Sequence, residues 1–253
     1  MQQPLFSQFV RKALGAAALS FAALSAHAAD PLALSGSLNS LIASGVNEGN
    51  TSALSFTNGA YSGSDLFLSL TFQLGSSFTP NTTSATGRTY EDFVGVWLDS
   101  TNTGNHTTVP NFGFKGADGA GNDALIRTST TASDTVRFTN SALTAGQTFT
   151  ILVHLAKTGV STTYNKIEGW FNPTSADTAG TADITLTKNT GLSSISYLGV
   201  RSNLDTADTV ALSSFKVGSS FAAVSPVPEA SGLAMLLAGL GMMGFIARRR
   251  TRI

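Results

Sequence analysis

Asp65-Leu66-Phe67-Leu68-Ser69-Leu70-Thr71-Phe72 is the stretch on which the fold turns. Leu66, Leu68, Leu70 and Phe72 fall on one side of an extended chain, and Phe67, Ser69 and Thr71 on the other. A period of two marks a strand with one dry face. Thr148 to Ala156 repeats the pattern with Phe149, Ile151, Val153 and Leu155. Asp134 to Thr139 carries Val136 and Phe138, and Asp183 to Thr187 carries Ile184 and Leu186. Further strands are predicted at 91–98, 111–115, 124–128, 164–172, 194–201 and 209–217, each bounded by Gly, Asn, Asp, Ser or Thr clusters. No stretch of the body has a helical period, and no internal repeat is present.

This pattern predicts an all-β fold. Short alternating strands make antiparallel sheets with one buried face each. Two such sheets packed face to face in jelly-roll order suit the length, with a closed barrel as the alternative. Glu91 to Leu98 stands out because both of its sides are apolar. Phe93 and Trp97 point one way, and Val94, Val96 and Leu98 the other. Trp97 is assigned to the core with Phe93 and Gly95. A strand apolar on both sides is covered on both sides. A loop, the segment 30–50, a ligand or a partner could supply the outer cover.

The two ends differ from the body. Residues 1–28 read as a secretory signal peptide. Arg11 and Lys12 lead, Ala13 to Leu24 is apolar, and Ala26-His27-Ala28 is a small-x-small cleavage site, so the mature chain starts at Ala29. Near the other end, Val227-Pro228-Glu229 precedes 17 uncharged residues, Ser231 to Ala247, and then Arg248-Arg249-Arg250-Thr251-Arg252. As a helix that run is about 25 Å long, enough for a single short span at 231–247. The arginines favour the cytoplasmic side, which places the body outside the cytoplasm. The expected organisation is signal peptide 1–28, sandwich 29–218, linker 219–226 and tail 227–253.

The tail resembles the PEP-CTERM sorting signal of Gram-negative bacteria. Val227, Pro228 and Glu229 match its motif and Arg248, Arg249 and Arg250 its basic cluster, whereas Ala230 stands where a second proline is usual. The resemblance implies transient passage through the inner membrane and processing by an exosortase, after signal peptidase has acted at the other end. It also implies delivery to the cell surface or medium, in the setting of an exopolysaccharide-rich biofilm. The runs 93–99, 111–115, 169–173 and 198–202 resemble secreted bacterial proteins with a concanavalin A-like, laminin-G-like jelly roll. That likeness implies a fold rather than an activity.

There is no cysteine, so neither a disulfide nor a thiolate site can form. Six of the 15 Lys and Arg and one of the 15 Asp and Glu lie in the ends, leaving 9 cations and 14 anions, a net −5. Nothing in the remaining body forms a basic stripe, and nucleic acid is not expected as a partner.

Jelly-roll glycosidases need two carboxylates on one strand. Glu48, Glu91 and Glu168 are isolated, so the expectation is a non-enzymatic protein with a structural or adhesive role, with exopolysaccharide contact as part of that role. The alternatives are a carbohydrate-active enzyme using a pair drawn from Asp92, Asp99 and Glu168, and a calcium-dependent lectin-like module. No other cofactor is expected. His106 and His154 read as ordinary polar residues. Calcium would take oxygen ligands from the turn 116–123, with Asp118, Asn122 and Asp123 as the candidates; ordinary turn chemistry explains the same residues. A glycan would stack on an outward aromatic. Trp170 shares its face with Lys166, Glu168 and Asn172, which makes Trp170, Glu168 and Asn172 the candidate contacts. The competing reading is that another segment covers the indole.

Overall fold

The computed structural model describes residues 32–35, 42–44, 52–78, 92–102, 107–115, 123–129, 134–138, 143–204 and 208–225. Within them the chain forms β1 (Ile42–Ser44), β2 (Ser52–Ser55), β3 (Asp65–Leu74), β4 (Phe93–Asp99), β5 (Asn111–Lys115) and β6 (Asp123–Arg127). There follow β7 (Thr135–Arg137), β8 (Thr148–Ala156), β9 (Lys166–Phe171), β10 (Ile184–Thr187), β11 (Tyr197–Asn203), β12 (Thr209–Gly218) and one helical turn, α1 (Phe221–Val224).

Two six-stranded antiparallel sheets result. The first has the order β1-β12-β3-β8-β9-β10 and the second β2-β11-β4-β5-β6-β7. The chain passes from sheet to sheet between β1 and β2, β2 and β3, β3 and β4, β7 and β8, β10 and β11, and β11 and β12. This is the predicted jelly-roll sandwich.

The period-two runs define the core. Leu66, Leu68, Leu70 and Phe72 of β3 are fully buried, as are Ile151, Val153 and Leu155 of β8. From the other sheet come Val94, Val96, Leu98, Phe112, Phe114, Ile126, Leu198 and Val200. Phe72 and Phe149 stack with centroids 5.1 Å apart. Phe114 crosses from the second sheet and meets both edge-on, at 6.3 and 6.1 Å. Burying one such side chain is worth about 1.5–3 kcal/mol, and each well-placed ring pair adds about 0.5–1.5.

Two findings change the sequence reading. First, the inward side of β4 is Val94, Val96 and Leu98; Phe93 and Trp97 lie on the opposite, outer side. Trp97 is therefore not part of the inter-sheet core, although it is fully buried. The described parts of the segment 30–50 do not cover it. Leu32 bonds to Val217, Leu34 bridges Phe56, and Ile42–Ser44 pairs with β12 at the edge of the first sheet. Second, the expected linker 219–226 contains α1, which closes over the outer face of the first sheet. Gly218 lets it approach, since a Cβ there would lie 2.7 Å from that of Ala223. Ser220 Oγ accepts from the Ala223 N–H, and Lys216 Nζ donates to the Ser225 carbonyl.

Candidate functional site

β9 alternates as its sequence predicts. Ile167 and Phe171 join the core, and Lys166, Glu168 and Trp170 face outward. The outward side is not open at Trp170. Its ring is fully buried in a second apolar cluster with Phe67, Leu152 and Val224. Phe221 of α1 meets the indole at 5.2 Å, tilted by 65°. No ring face is left for a sugar, so the glycan-platform reading of Trp170 is corrected by the covering helix. Asn172 is exposed and ends the strand in the left-handed region, at φ 51°. Its side-chain oxygen accepts from the Thr150 N–H at 2.8 Å. Its place is explained by that strand-end pairing.

Glu168 belongs to a polar brace. His154 of β8 sits between two carboxylates: Nδ1 is 2.9 Å from Glu168 Oε2, and Nε2 is 2.9 Å from Asp65 Oδ1. Lys166 Nζ lies 2.6 Å from the other Glu168 oxygen. The Ser64 hydroxyl donates to Asp65 Oδ2. Beneath, the imidazole stacks on Phe67 with centroids 3.9 Å apart and planes within 4°. The brace ties β3, β8 and β9 together across the register pairs Phe67–His154 and His154–Glu168. Sequence reading took His154 for an ordinary polar residue; its partners lie 89 and 14 positions away. The order of contacts does not make a nucleophilic triad. Both ring nitrogens face carboxylates, and the one serine in the chain of contacts donates to Asp65, not to the imidazole.

Burial alone would raise the Asp65 pKa. The hydrogen bonds from Ser64 and His154, and the charge on His154, outweigh it and hold the carboxyl below its ordinary value. A carboxyl depressed in the folded state stabilises it fully above the unfolded pKa of 3.8. That contribution fades as pH falls through the lower folded value. Asp65→Asn is thus expected to be less stable than the parent at pH 6, with the gap closing below about pH 3. Urea titrations at the two pH values check this, and a gap that persists unchanged in acid rules it out.

The other carboxylates proposed for catalysis do not converge. Asp99 is on the outer face of the second sheet and Glu168 on the outer face of the first. Asp92 precedes β4 and Asp99 ends it, which separates them by about 23 Å of extended chain. A glycosidase pair needs roughly 5–10 Å. Asp99 is held by the Ser100 N–H at 2.6 Å and the Thr101 hydroxyl at 3.1 Å. His106, Asp118, Asn122 and the side chain of Asp123 lie outside the described residues. So do Val227, Pro228, Glu229, Arg248, Arg249 and Arg250, and the apolar run 231–247. Among the described residues, no helix is long and apolar enough to cross a membrane.

The outer face of the second sheet holds what the linear sequence did not show. Register places Arg201, Gly95, Gly113, Leu125 and Arg137 in one row across β11, β4, β5, β6 and β7. The next row is Gly199, Trp97, Asn111, Arg127 and Thr135. Lys115 stands opposite Phe93 in a third. Every arginine among the described residues, Arg127, Arg137 and Arg201, is on this face. Arg127 Nε donates to Asn111 Oδ1 at 2.6 Å, and both are buried. Arg137, Arg201 and Lys115 are half-buried. Asp99 stands on the same face. At the edge by β7, Asp134 is held by Lys188 and by the Ser129 hydroxyl. These residues, far apart in the chain, converge through strand order.

The fold is a two-sheet antiparallel jelly-roll sandwich. Residues 226–250 match the PEP-CTERM protein-sorting motif, so the chain carries the signal of an exosortase-sorted, exported protein. No curated protein matches the sequence. Among solved structures, the Emp47p carbohydrate recognition domain is 9% identical over 72% of this chain and 89% of that one, with a TM-score of 0.46. Alginate lyase Aly36B is 11% identical over 71% and 80%, at 0.42. Chicken galectin 2 is 12% identical over 67% and 99%, at 0.37. At these scores the likeness says nothing about ligand or activity.

Proposed function

We propose that this is a non-enzymatic surface or extracellular-matrix protein of a Gram-negative bacterium, with a structural or adhesive role that includes contact with exopolysaccharide. The sorting motif at 226–250, directly behind a sandwich domain, carries the reading. The separation of Asp92, Asp99 and Glu168 supports a binding role over a glycosidase one. Signal peptidase would remove residues 1–28 and exosortase the tail.

The test uses the chain as its producing cell exports it. Expected results are a mature protein lacking the arginine tail by mass spectrometry, co-sedimentation with the cell's own exopolysaccharide, and no release of sugar products from it. Free migration away from both envelope and polysaccharide overturns the adhesive reading. Product release that disappears in Glu168→Gln overturns the non-enzymatic one.

A further inference from the structure

We infer that α1 is a clasp that limits access to the sorting motif: the tail is cut only from molecules in which Phe221–Val224 has left the sheet. The inference rests on the exosortase processing proposed above and adds its regulation.

Three observations lead there. The first is distance along the chain. The motif match begins at Pro226, directly after Ser225. Ser225 is fastened to the body. Its N–H donates to the Phe221 carbonyl, and its own carbonyl accepts from Lys216 Nζ at 3.2 Å. Val227, Pro228 and Glu229 follow it by two to four residues. A chain reaches at most about 3.5 Å per residue, so all three lie within about 14 Å of that anchor. A protease takes its substrate as an extended strand, with several residues on each side of the bond it cuts. Here the residues it needs on the body side are those of α1.

The second is the state of those residues. They are wound into a helical turn, capped by the Ser220 hydroxyl, and cannot pair as a strand while they stay so. They are also covered. Phe221 meets the rings of Trp170 and Phe67 at 5.2 and 6.4 Å, and Val224 is fully buried.

The third is that the clasp is separable. Four residues fall far short of a helix that holds its shape alone in water, so off the sheet α1 unwinds into extended chain. Its release breaks no strand pair, because β12 ends at Gly218, opposite Phe67. None of the four belongs to the core between the sheets. Opening is therefore local and leaves the sandwich folded. Where opening and closing outpace the cut, the rate of cutting follows the open fraction.

Pulse-labelling of the full chain in its producing cell, with loss of the arginine tail followed by mass spectrometry, tests the inference. Phe221→Ala is expected to speed processing about tenfold, the rise in open fraction when a half-buried phenylalanine is lost. Lys216→Ala frees the Ser225 carbonyl and is expected to speed it about threefold. An insert of about eight Gly and Ser residues between Ser225 and Pro226 leaves α1 in place and supplies the missing body-side chain. It is expected to speed processing of the parent and to erase the effect of Phe221→Ala. The insert decides the matter if the alanine variant does not fold. Unchanged or slower processing in a folded Phe221→Ala, or an insert that leaves the parent's rate as it was, overturns the clasp and leaves exosortase processing standing. An arginine tail retained by the parent and the insert variant alike overturns both.

Discussion

Trp170→Ala is expected to lower folding stability by about 4 kcal/mol. The indole is fully buried and sits in a cluster with Phe67, Leu152 and Val224, under Phe221. Truncation removes the apolar surface of the largest side chain there and leaves a cavity between sheet and helix. Collapse can recover little of it, because β9 is hydrogen-bonded to both β8 and β10. One term runs the other way: the buried indole N–H has no acceptor among the described residues, so removing it relieves a small cost. The net loss remains large because dispersion contacts and transferred area outweigh one unsatisfied donor. Trp170→Phe separates the two effects, since it keeps most of the ring volume and drops the donor. Urea denaturation of the three proteins gives the values. A loss below 1 kcal/mol, with the parent indole quenched readily by acrylamide, would restore Trp170 as an exposed sugar platform.

His154→Ala is expected to cost about 2–3 kcal/mol. The substitution deletes hydrogen bonds to Asp65 and Glu168 and the stacking on Phe67. The penalty concentrates on Glu168, whose side chain is only 13% exposed and loses one of its two partners. Lys166 still faces its other oxygen, and Asp65 at 45% exposure regains water. Those two facts keep the figure below that of a fully buried pair. A double-mutant cycle with Glu168→Gln isolates the contact. A coupling near zero would mean the brace is a surface decoration with no hold on the three strands.

The fold was legible where large apolar residues recur at every second position along a strand. Thr148–Ala156 and Asn111–Lys115 appear with the bounds expected from their alternation. Ile42–Ser44 and Ser52–Ser55 were not anticipated, because three or four residues are too few to show a period and both lie at sheet edges. Periodicity also says which residues share a side without saying which side is the interior. That is why Trp97, assigned to the core, proves to be buried on the outer side of its sheet and not between the sheets. For Trp170 the side was right and the cover was the open question; four residues from 221 to 224, too short for a helical pattern, provide it. The brace at His154 and the arginine row were both invisible along the chain. Each is assembled from strands that become neighbours only when the sheets form.

The position of Ser225 has a bearing on orientation. The last described residue leaves the body from the same broad surface that α1 covers, with its carbonyl fastened to Lys216. The sorting motif at 226–250 therefore joins the body on the side that α1 covers, turned away from the second sheet.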